Sequence, residues 1–300
     1  MPIRLLGIAA LVLVAAFGAL VAFVRYGLRP RRARLDPTLT ELPVETVTIA
    51  SLSGAALAGW FVRGDGDGGV LLLHGAKSNR SAHVERMRTL RREGYSTLAI
   101  DFQAHGESTG DCITLGQREA LDARSALEWM RARMPGEQLA ALGVSMGAAA
   151  ALIGGPIQAD ALIIESAFAD LAPSLSTRLS RTIGEAARPA TPLLLLALRV
   201  AAGIDHRRMR PVEAIGRFSA PILVLHGAED LKTTTTESQA LFARANPPKF
   251  YWEAPGAGHI DLAYAGGEAY WERLLGFLAS TLRAPGVRGE NCGSIAEDPI

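Results

Sequence analysis

The chain has few cysteines, and its charges nearly cancel. Only Cys112 and Cys292 occur among 300 residues, and they match no metal-ligand spacing or disulfide framework. Lysine and arginine number 31 and aspartate and glutamate 30, a formal net charge of +1, so no overall field favours nucleic acid. Internal repeats and blocks of interleaved basic and aromatic residues are also missing. We therefore expect no metal, no cofactor and no nucleic-acid partner, and the two thiols do not indicate a redox compartment.

Charge is absent from one stretch near the N-terminus. It runs from Leu5 to Val24, and about 20 apolar residues are enough to cross a bilayer as one helix. A cleaved signal peptide has a shorter apolar region and a small-residue cleavage site, and no such site precedes Arg25. We therefore expect a transmembrane anchor over residues 1–25, in contact with membrane lipid; a cleaved signal sequence is the alternative.

Residues 26–43 form a predicted basic linker. Arginines stand on the C-terminal side of the apolar run, at Arg25, Arg29, Arg31, Arg32 and Arg34. The positive-inside rule then places the rest of the chain in the cytoplasm. A basic tether of an exported domain is the alternative.

Beyond the linker, short apolar runs alternate with longer amphipathic ones. The predicted strands are Val44–Ala50, Leu57–Val62, Val70–Leu73, Tyr95–Ile100, Leu139–Val144, Ala161–Glu165, Ile222–Leu225 and Lys249–Glu253. The predicted helices are Ser81–Glu93, Leu115–Met134, Met146–Ile153, Thr234 to about Ala245, and Glu268–Leu282. This alternation indicates an α/β fold over residues 44–283, with a mostly parallel sheet and helices on both faces. Residues 284–300, rich in Gly, Pro and acids, are expected to be disordered.

One segment does not alternate. About fifty residues separate the strands on either side of it, from Phe168 to Phe218, and loops this long are functional or contain helices of their own. We expect a helical cap over residues 169–217. Its apolar run, Pro192–Leu198, lines an acyl pocket or packs into the main core; both remain open. A second membrane span is disfavoured because Thr191–Gly203 is short and contains Arg199.

The sequence Gly143-Val144-Ser145-Met146-Gly147 follows an apolar strand and opens an alanine-rich helix. Gly-x-Ser-x-Gly in this setting is typical of a nucleophile elbow, in which small neighbours let strand and helix approach closely. We predict that Ser145 is a nucleophile. The alternative is a glycine-rich turn without chemistry.

A serine nucleophile requires a base, and histidine suits neutral pH. His259 is the best of six histidines, because it lies in a glycine-containing loop after the last strand. The other five are expected at turns or structural positions: His74 and His226 at strand ends, His83 on a helix surface, His105 in a polar loop, and His206 in the cap.

The third member is expected between the nucleophile and the base in sequence. Asp230 is the best candidate, and its neighbour Glu229 is the second choice. For either residue, the alternative role is that of a carboxylate that caps a turn. The backbone N–H groups of Ala76 and Met146 are expected to bind an oxyanion.

These motifs resemble the α/β-hydrolase superfamily. They occur in its order: His74-Gly75, the loop Asp101–Gly110, the Ser145 motif, His226 to Asp230, and Gly258-His259. The resemblance covers about Val44 to Leu282 and looks closest to the serine aminopeptidase-like and lysophospholipase-like branch. The family usually has Arg-Gly before the His-Gly of the 101–110 loop, where this chain has Gln103-Ala104.

The resemblance implies a serine hydrolase that acts through an acyl-enzyme intermediate. A carboxylic ester, including a lysophospholipid, is the favoured substrate class (EC 3.1.1), because an anchor and an apolar cap suit a substrate from the bilayer. A peptidase or amidase acting on short peptides is the runner-up, and an inactive membrane-bound scaffold is the alternative from another class.

Overall fold

A computed structural model describes residues 2–66, 68–259 and 262–282, and their side chains from residue 7 onward. Its centre is an eight-stranded sheet. In chain order the strands are β1 Glu45–Ala50, β2 Ala56–Val62, β3 Gly69–Leu73, β4 Ser96–Ile100, β5 Leu139–Val144, β6 Ala161–Glu165, β7 Ile222–Gly227 and β8 Lys249–Ala254. The predicted tail, 284–300, and Cys292 lie outside the described residues.

The sheet is parallel except at one side. Its order is β8-β7-β6-β5-β3-β4-β2-β1, and β2 runs antiparallel to both β1 and β4. All pairs from β8 to β4 are parallel, so their carboxyl ends share one edge. The predicted strands Val44–Ala50 and Leu57–Val62 are confirmed as β1 and β2, and so is the α/β-hydrolase fold class.

Helices cover both faces of the sheet. In chain order they are α1 Pro2–Gly27, α2 Val84–Arg92, α3 Glu119–Arg133, α4 Met146–Ala150, α5 Leu171–Ile183, α6 Thr191–Ala202, α7 Pro211–Ala214, α8 Thr235–Arg244, α9 Leu262–Ala265 and α10 Gly267–Leu282. Alternate residues of β3 point to opposite faces of the sheet. Leu71 and Leu73 pack in the hydrophobic cluster that includes α3, α4 and α6. Val70 and Leu72 pack in the cluster that includes α2 and α10.

Helix starts differ from the predicted ones. The helix expected from Leu115 begins at Glu119, because Leu115 and Gly116 have positive φ angles of 56° and 113°. The Glu119 carboxylate accepts the amide protons of Thr114 and Gly116, at 2.8 and 2.9 Å, and holds this non-helical turn in place. The helix expected from Ser81 is also shorter, since a 3-10 turn, Arg80–His83, precedes α2.

The N-terminal helix α1 is 26 residues long. One segment, Gly7–Gly27, is long and apolar enough to cross a membrane, with a mean hydropathy of 2.7. The predicted linker folds back on the domain: Arg31–Arg32 pairs in parallel with His105–Gly106, and Pro37–Thr40 forms a 3-10 turn.

The segment between β6 and β7 contains α5, α6 and α7. In its apolar run, Leu195, Ala197 and Leu198 are buried in the core cluster, whereas Leu193 and Leu196 are exposed. The packing alternative therefore holds for only one side of α6.

Candidate active site

The turn from β5 to α4 places Ser145 at the carboxyl edge of the sheet. Ser145 has φ 52° and ψ −109°, a left-handed backbone that is strained for a residue with a side chain. A Cβ on Gly143 would come within 2.5 Å of the Ala148 nitrogen, and one on Gly147 within 2.3 Å of the Leu73 carbonyl oxygen. Only glycine therefore allows this approach of strand, turn and helix, as the motif predicts.

The structure brings the three predicted side chains together. The His259 Nε2 lies 3.1 Å from the Ser145 Oγ, and its Nδ1 lies 2.7 Å from the Asp230 Oδ2. Both distances are within hydrogen-bond range. The Asp230 side chain is buried, whereas that of His259 is 18% exposed. The three residues follow β5, β7 and β8, whose parallel carboxyl ends explain why positions so far apart in sequence meet.

The loop bearing His259 is held against the turn bearing Asp230. The Glu229 amide donates to the Ala257 carbonyl at 2.8 Å, and a Cβ on Gly227 would come within 2.5 Å of that same oxygen. Glu229 itself is exposed, whereas the Asp230 carboxylate is buried and bound to the imidazole. Of the two adjacent acids, the structure therefore places Asp230 at the site.

Thr233 is a site residue that the sequence analysis missed. Its buried hydroxyl donates to the Asp230 Oδ2 at 2.6 Å and lies 3.4 Å from the His259 Nδ1. The Asp230 Oδ1 accepts the amide protons of Lys232 and Thr233, at 2.8 and 3.0 Å. The sequence predicts only the start of a helix here, at Thr234, and this is confirmed, because the Thr234 side chain caps α8. The signal available in the sequence was Asp230 itself, because an aspartate side chain often accepts the backbone amide proton two residues further on and so forms a turn.

These contacts lower the pKa of Asp230. Burial alone would raise it, but hydrogen bonds from His259 and Thr233 outweigh burial and bring the pKa to about 2, from 3.8. Because folding lowers this pKa, the ionised carboxylate stabilises the folded state above about pH 3.8. That stabilisation is lost as the pH falls through about 2.

The two predicted oxyanion donors lie beside the nucleophile, Ala76 in the turn that follows β3 and Met146 at the start of α4. Within the described part of the chain, neither the Ala76 nor the Met146 amide has a backbone hydrogen-bond acceptor. The turn after Ala76 is shaped by Lys77, which has φ 63° and whose amide donates to the His105 Nε2 at 3.2 Å. A Cβ on Gly75 would meet only ordinary contacts, so the close approach here is made by Gly147.

Two other histidines near the site, His74 and His105, contact backbone groups and have structural roles. The His74 Nε2 accepts the Phe102 amide at 3.1 Å, and burial lowers the pKa of His74 to about 3. The His105 Nδ1 lies 2.9 Å from the Gln103 carbonyl oxygen, and burial lowers the pKa of His105 as well. The placement of His83 on a helix surface was wrong: it ends a 3-10 turn and is buried.

The polar loop Asp101–Gly110 is organised by an arginine from elsewhere. Arg80, which is buried, forms ion pairs with Asp101 and Glu107. Gln103, at the position where the resembling family usually has arginine, donates instead to the Cys112 carbonyl and to Glu119, at 2.5 and 3.0 Å. This arrangement could not be predicted from the sequence, because Arg80 lies 21 residues before Asp101 in the chain.

The sequence profile of the alpha/beta hydrolase family matches residues 70–273, more than half of the chain and every strand from β3 to β8. The chain belongs to the alpha/beta hydrolase family. This match contains Ser145, Asp230 and His259.

Relatives of similar length support the assignment. An uncharacterized protein of Mycobacterium tuberculosis strain H37Rv is 30% identical over 269 residues, which cover 87% of each chain. The uncharacterized protein YfhR of Salmonella typhi is 27% identical over 263 residues, covering 82% of this chain and 85% of the relative. Among solved structures, the Pyrococcus furiosus esterase PF2001 superposes with a TM-score of 0.70 at 24% identity. It covers 85% of this chain and 98% of its own, and at this identity the likeness shows the fold.

Proposed function

We propose that this hydrolase cleaves carboxylic esters through an acyl-enzyme intermediate on Ser145. The observation that carries the proposal is the hydrogen-bonded series from the Ser145 hydroxyl through the His259 imidazole to the buried Asp230 carboxylate. Two backbone N–H groups beside the nucleophile, those of Ala76 and Met146, complete the set of groups that acyl transfer needs.

Acylation begins when the His259 Nε2 takes the Ser145 proton. The serine oxygen then attacks the ester carbonyl carbon, and the carbonyl oxygen becomes an oxyanion that accepts from the Ala76 and Met146 amides. Asp230, ionised and bound to Nδ1, keeps the imidazole in the tautomer whose Nε2 is free to accept a proton. The imidazolium then protonates the leaving alcohol as the C–O bond breaks.

Deacylation repeats these steps with water in place of serine. His259 takes a proton from water, the hydroxide oxygen attacks the acyl carbon, and the oxyanion forms at the same two amides. When the intermediate collapses, the Ser145 oxygen leaves and recovers its proton from His259, releasing the carboxylic acid.

An ester of lipid-like character is the substrate class that we favour. The structure resembles that of a protein named as an esterase, and the segment between β6 and β7 is apolar along α6. A free peptide amine is usually held by carboxylates, whereas this segment ends in the basic stretch His206–Arg210. The peptidase alternative is therefore second.

We also propose that α1 anchors the protein in a membrane as a single span. Its segment Gly7–Gly27 has 21 residues and a mean hydropathy of 2.7, close to the length that crosses a bilayer. Arginines follow it, from Arg25 to Arg34, which by the positive-inside rule places the hydrolase domain in the cytoplasm. In this layout the domain spans residues 44–283, and residues 169–217 form its cap.

The pH dependence should show one acid-side ionisation. Because the pKa of Asp230 is about 2, its carboxylate stays ionised through the range of the assay. A histidine base must be neutral to take the Ser145 proton. We expect kcat/KM to fall with a slope of one as the pH is lowered into the acid range in which imidazoles bind a proton. A limb centred between pH 3 and 5 would instead indicate a carboxylate base.

A substrate screen tests the proposed specificity. Esters of p-nitrophenol with graded acyl length, lysophospholipids and aminoacyl amides should be compared at equal concentration in detergent or liposomes. We expect turnover of the esters, increasing with acyl length, and none above background with the Ser145→Ala protein. Faster cleavage of aminoacyl amides would support the peptidase, and reaction with no substrate would support the scaffold.

A further inference from the structure

One side of α6 is apolar and faces away from the protein. Leu193, Leu196 and Val200 are 47%, 49% and 58% exposed. Their spacing of three and four residues places them in one stripe along the helix. The opposite side of α6 is packed, since Leu195 and Leu198 are buried in the core cluster. An exposed stripe of this kind on a packed helix marks a surface that meets something apolar.

The helix α6 packs directly against α1. Val24 of α1 and Leu28, which directly follows this helix, are buried in the same cluster as Leu198 and Ala201 of α6. Residues nearer the N-terminus of α1, Phe17, Leu20 and Val21, are partly buried against that cluster. The two helices meet at their C-terminal ends, where the Arg25 guanidinium donates to the Ala201 carbonyl at 3.4 Å.

This packing overlaps the part of α1 that would cross the bilayer. The charge-free run, Leu5 to Val24, is only about as long as the hydrocarbon core requires. The contact with the domain already begins at Phe17. From Phe17 to Val24 a helix rises about 10 Å. If α1 spans the membrane, its packing partner therefore reaches about 10 Å into the lipid.

The composition of α6 suits that depth. Its one charged residue, Arg199, is exposed and lies in the last turn, near Ala201, which Arg25 contacts. Long arginine side chains can extend from there to the headgroups. With 12 residues, α6 is about 18 Å long, too short to cross about 30 Å. The chain then turns by 98° into His206–Arg217. A helix inserted about 5–10 Å into the interface matches these features.

We propose that α6 lies in the membrane interface beside α1, with phospholipid covering Leu193, Leu196 and Val200. The inference rests on the proposed membrane anchor and not on the esterase chemistry. It also brings the site close to lipid, because α5 lies beside the Asp230 turn: Arg178 and Arg181 donate to the carbonyls of Lys232 and Leu231, at 2.9 and 2.5 Å.

Site-specific fluorescence tests the proposal on the full chain. In a Cys112→Ser/Cys292→Ser background, single cysteines are introduced as Leu196→Cys and Val200→Cys and labelled with an NBD dye. The matched control is Glu272→Cys on α10, an exposed position on the opposite face of the sheet. Each protein is placed in liposomes of phosphatidylcholine and phosphatidylglycerol. Doxyl-labelled lipid then serves as the membrane quencher and iodide as the aqueous one. Fluorophosphonate labelling of the same samples reports a folded active site independently.

We expect loss of fluorescence with doxyl lipid at positions 196 and 200 and with iodide at position 272. Quenching of positions 196 and 200 by iodide alone, in protein that resists carbonate extraction, would overturn the proposal and leave the anchor standing. Protection from both quenchers would mean that protein, such as a second copy of the chain, covers α6. Release of the chain by carbonate would remove the anchor and this inference together, while fluorophosphonate labelling would still report on the esterase.

Discussion

Replacing Ser145 by alanine is expected to lower kcat for a p-nitrophenyl ester by a factor on the order of 10⁴ or more. Without the hydroxyl no acyl-enzyme forms, and the remaining turnover depends on water attack assisted by the Ala76 and Met146 amides. The measurement is kcat under saturating substrate, with the fold checked by circular dichroism and thermal unfolding. Because alanine tolerates a positive φ no better than serine, we expect little change in stability.

Ser180→Ala on α5 is a useful control for that variant. The Ser180 hydroxyl donates to the Thr177 carbonyl within its own helix, at 2.9 Å, and takes no part in the site. We expect its kcat to remain near that of the unchanged protein. A Ser145→Ala protein that retained full activity while folded would remove Ser145 from the mechanism.

The second large effect is expected from Asp230→Asn, with a loss of kcat on the order of 10⁴-fold. The neutral amide can donate to the His259 Nδ1, which favours the tautomer with the proton on Nε2. That nitrogen can then no longer accept the Ser145 proton. The kcat of the variant should be measured across pH, because the carboxylate also stabilises the imidazolium that forms during the reaction, and this stabilisation is lost.

Glu229→Gln is the matched control for Asp230→Asn. It makes the same type of change one residue away, at an exposed carboxylate. We expect it to alter kcat less than about twofold, since surface charges interact weakly in water. Equal losses in the two variants would mean that the turn as a whole, and not the Asp230 carboxylate, is what the substitution disturbs.

The sheet was predictable because its strands are buried on both faces. Val70–Leu73, Leu139–Val144 and Ala161–Glu165 read as continuous apolar runs, and the structure has strands at each of them. The starts of helices were less predictable. The first turn of the helix expected from Leu115 is displaced by hydrogen bonds to Glu119, a competition between a side chain and the helix that periodicity does not reveal.

The convergence at the site follows from the same topology. Residues that come directly after parallel strands share one edge of the sheet, which is why Ser145, Asp230 and His259 could be grouped from sequence alone. Contacts that depend on side-chain direction could not be predicted in this way. The hydrogen bond between Thr233 and Asp230 and the ion pair between Arg80 and Asp101 are evident only from the structure.

The packing of α1 on α6 also could not be predicted from the sequence. Each helix was recognised by its apolar residues, but hydropathy alone does not tell which apolar residues face protein and which face lipid. In α6 the two kinds alternate within one turn, with Leu195 buried and Leu196 exposed. Only the structure separates them, and that separation carries the proposed interfacial position.

The most direct test of the account is the site of covalent reaction with a fluorophosphonate. The full chain, in detergent or liposomes, is treated with the probe, digested and analysed by mass spectrometry. The account predicts one adduct, on Ser145 and absent from the Ser145→Ala protein. An adduct on another residue, or ester turnover without any adduct at Ser145, would contradict it.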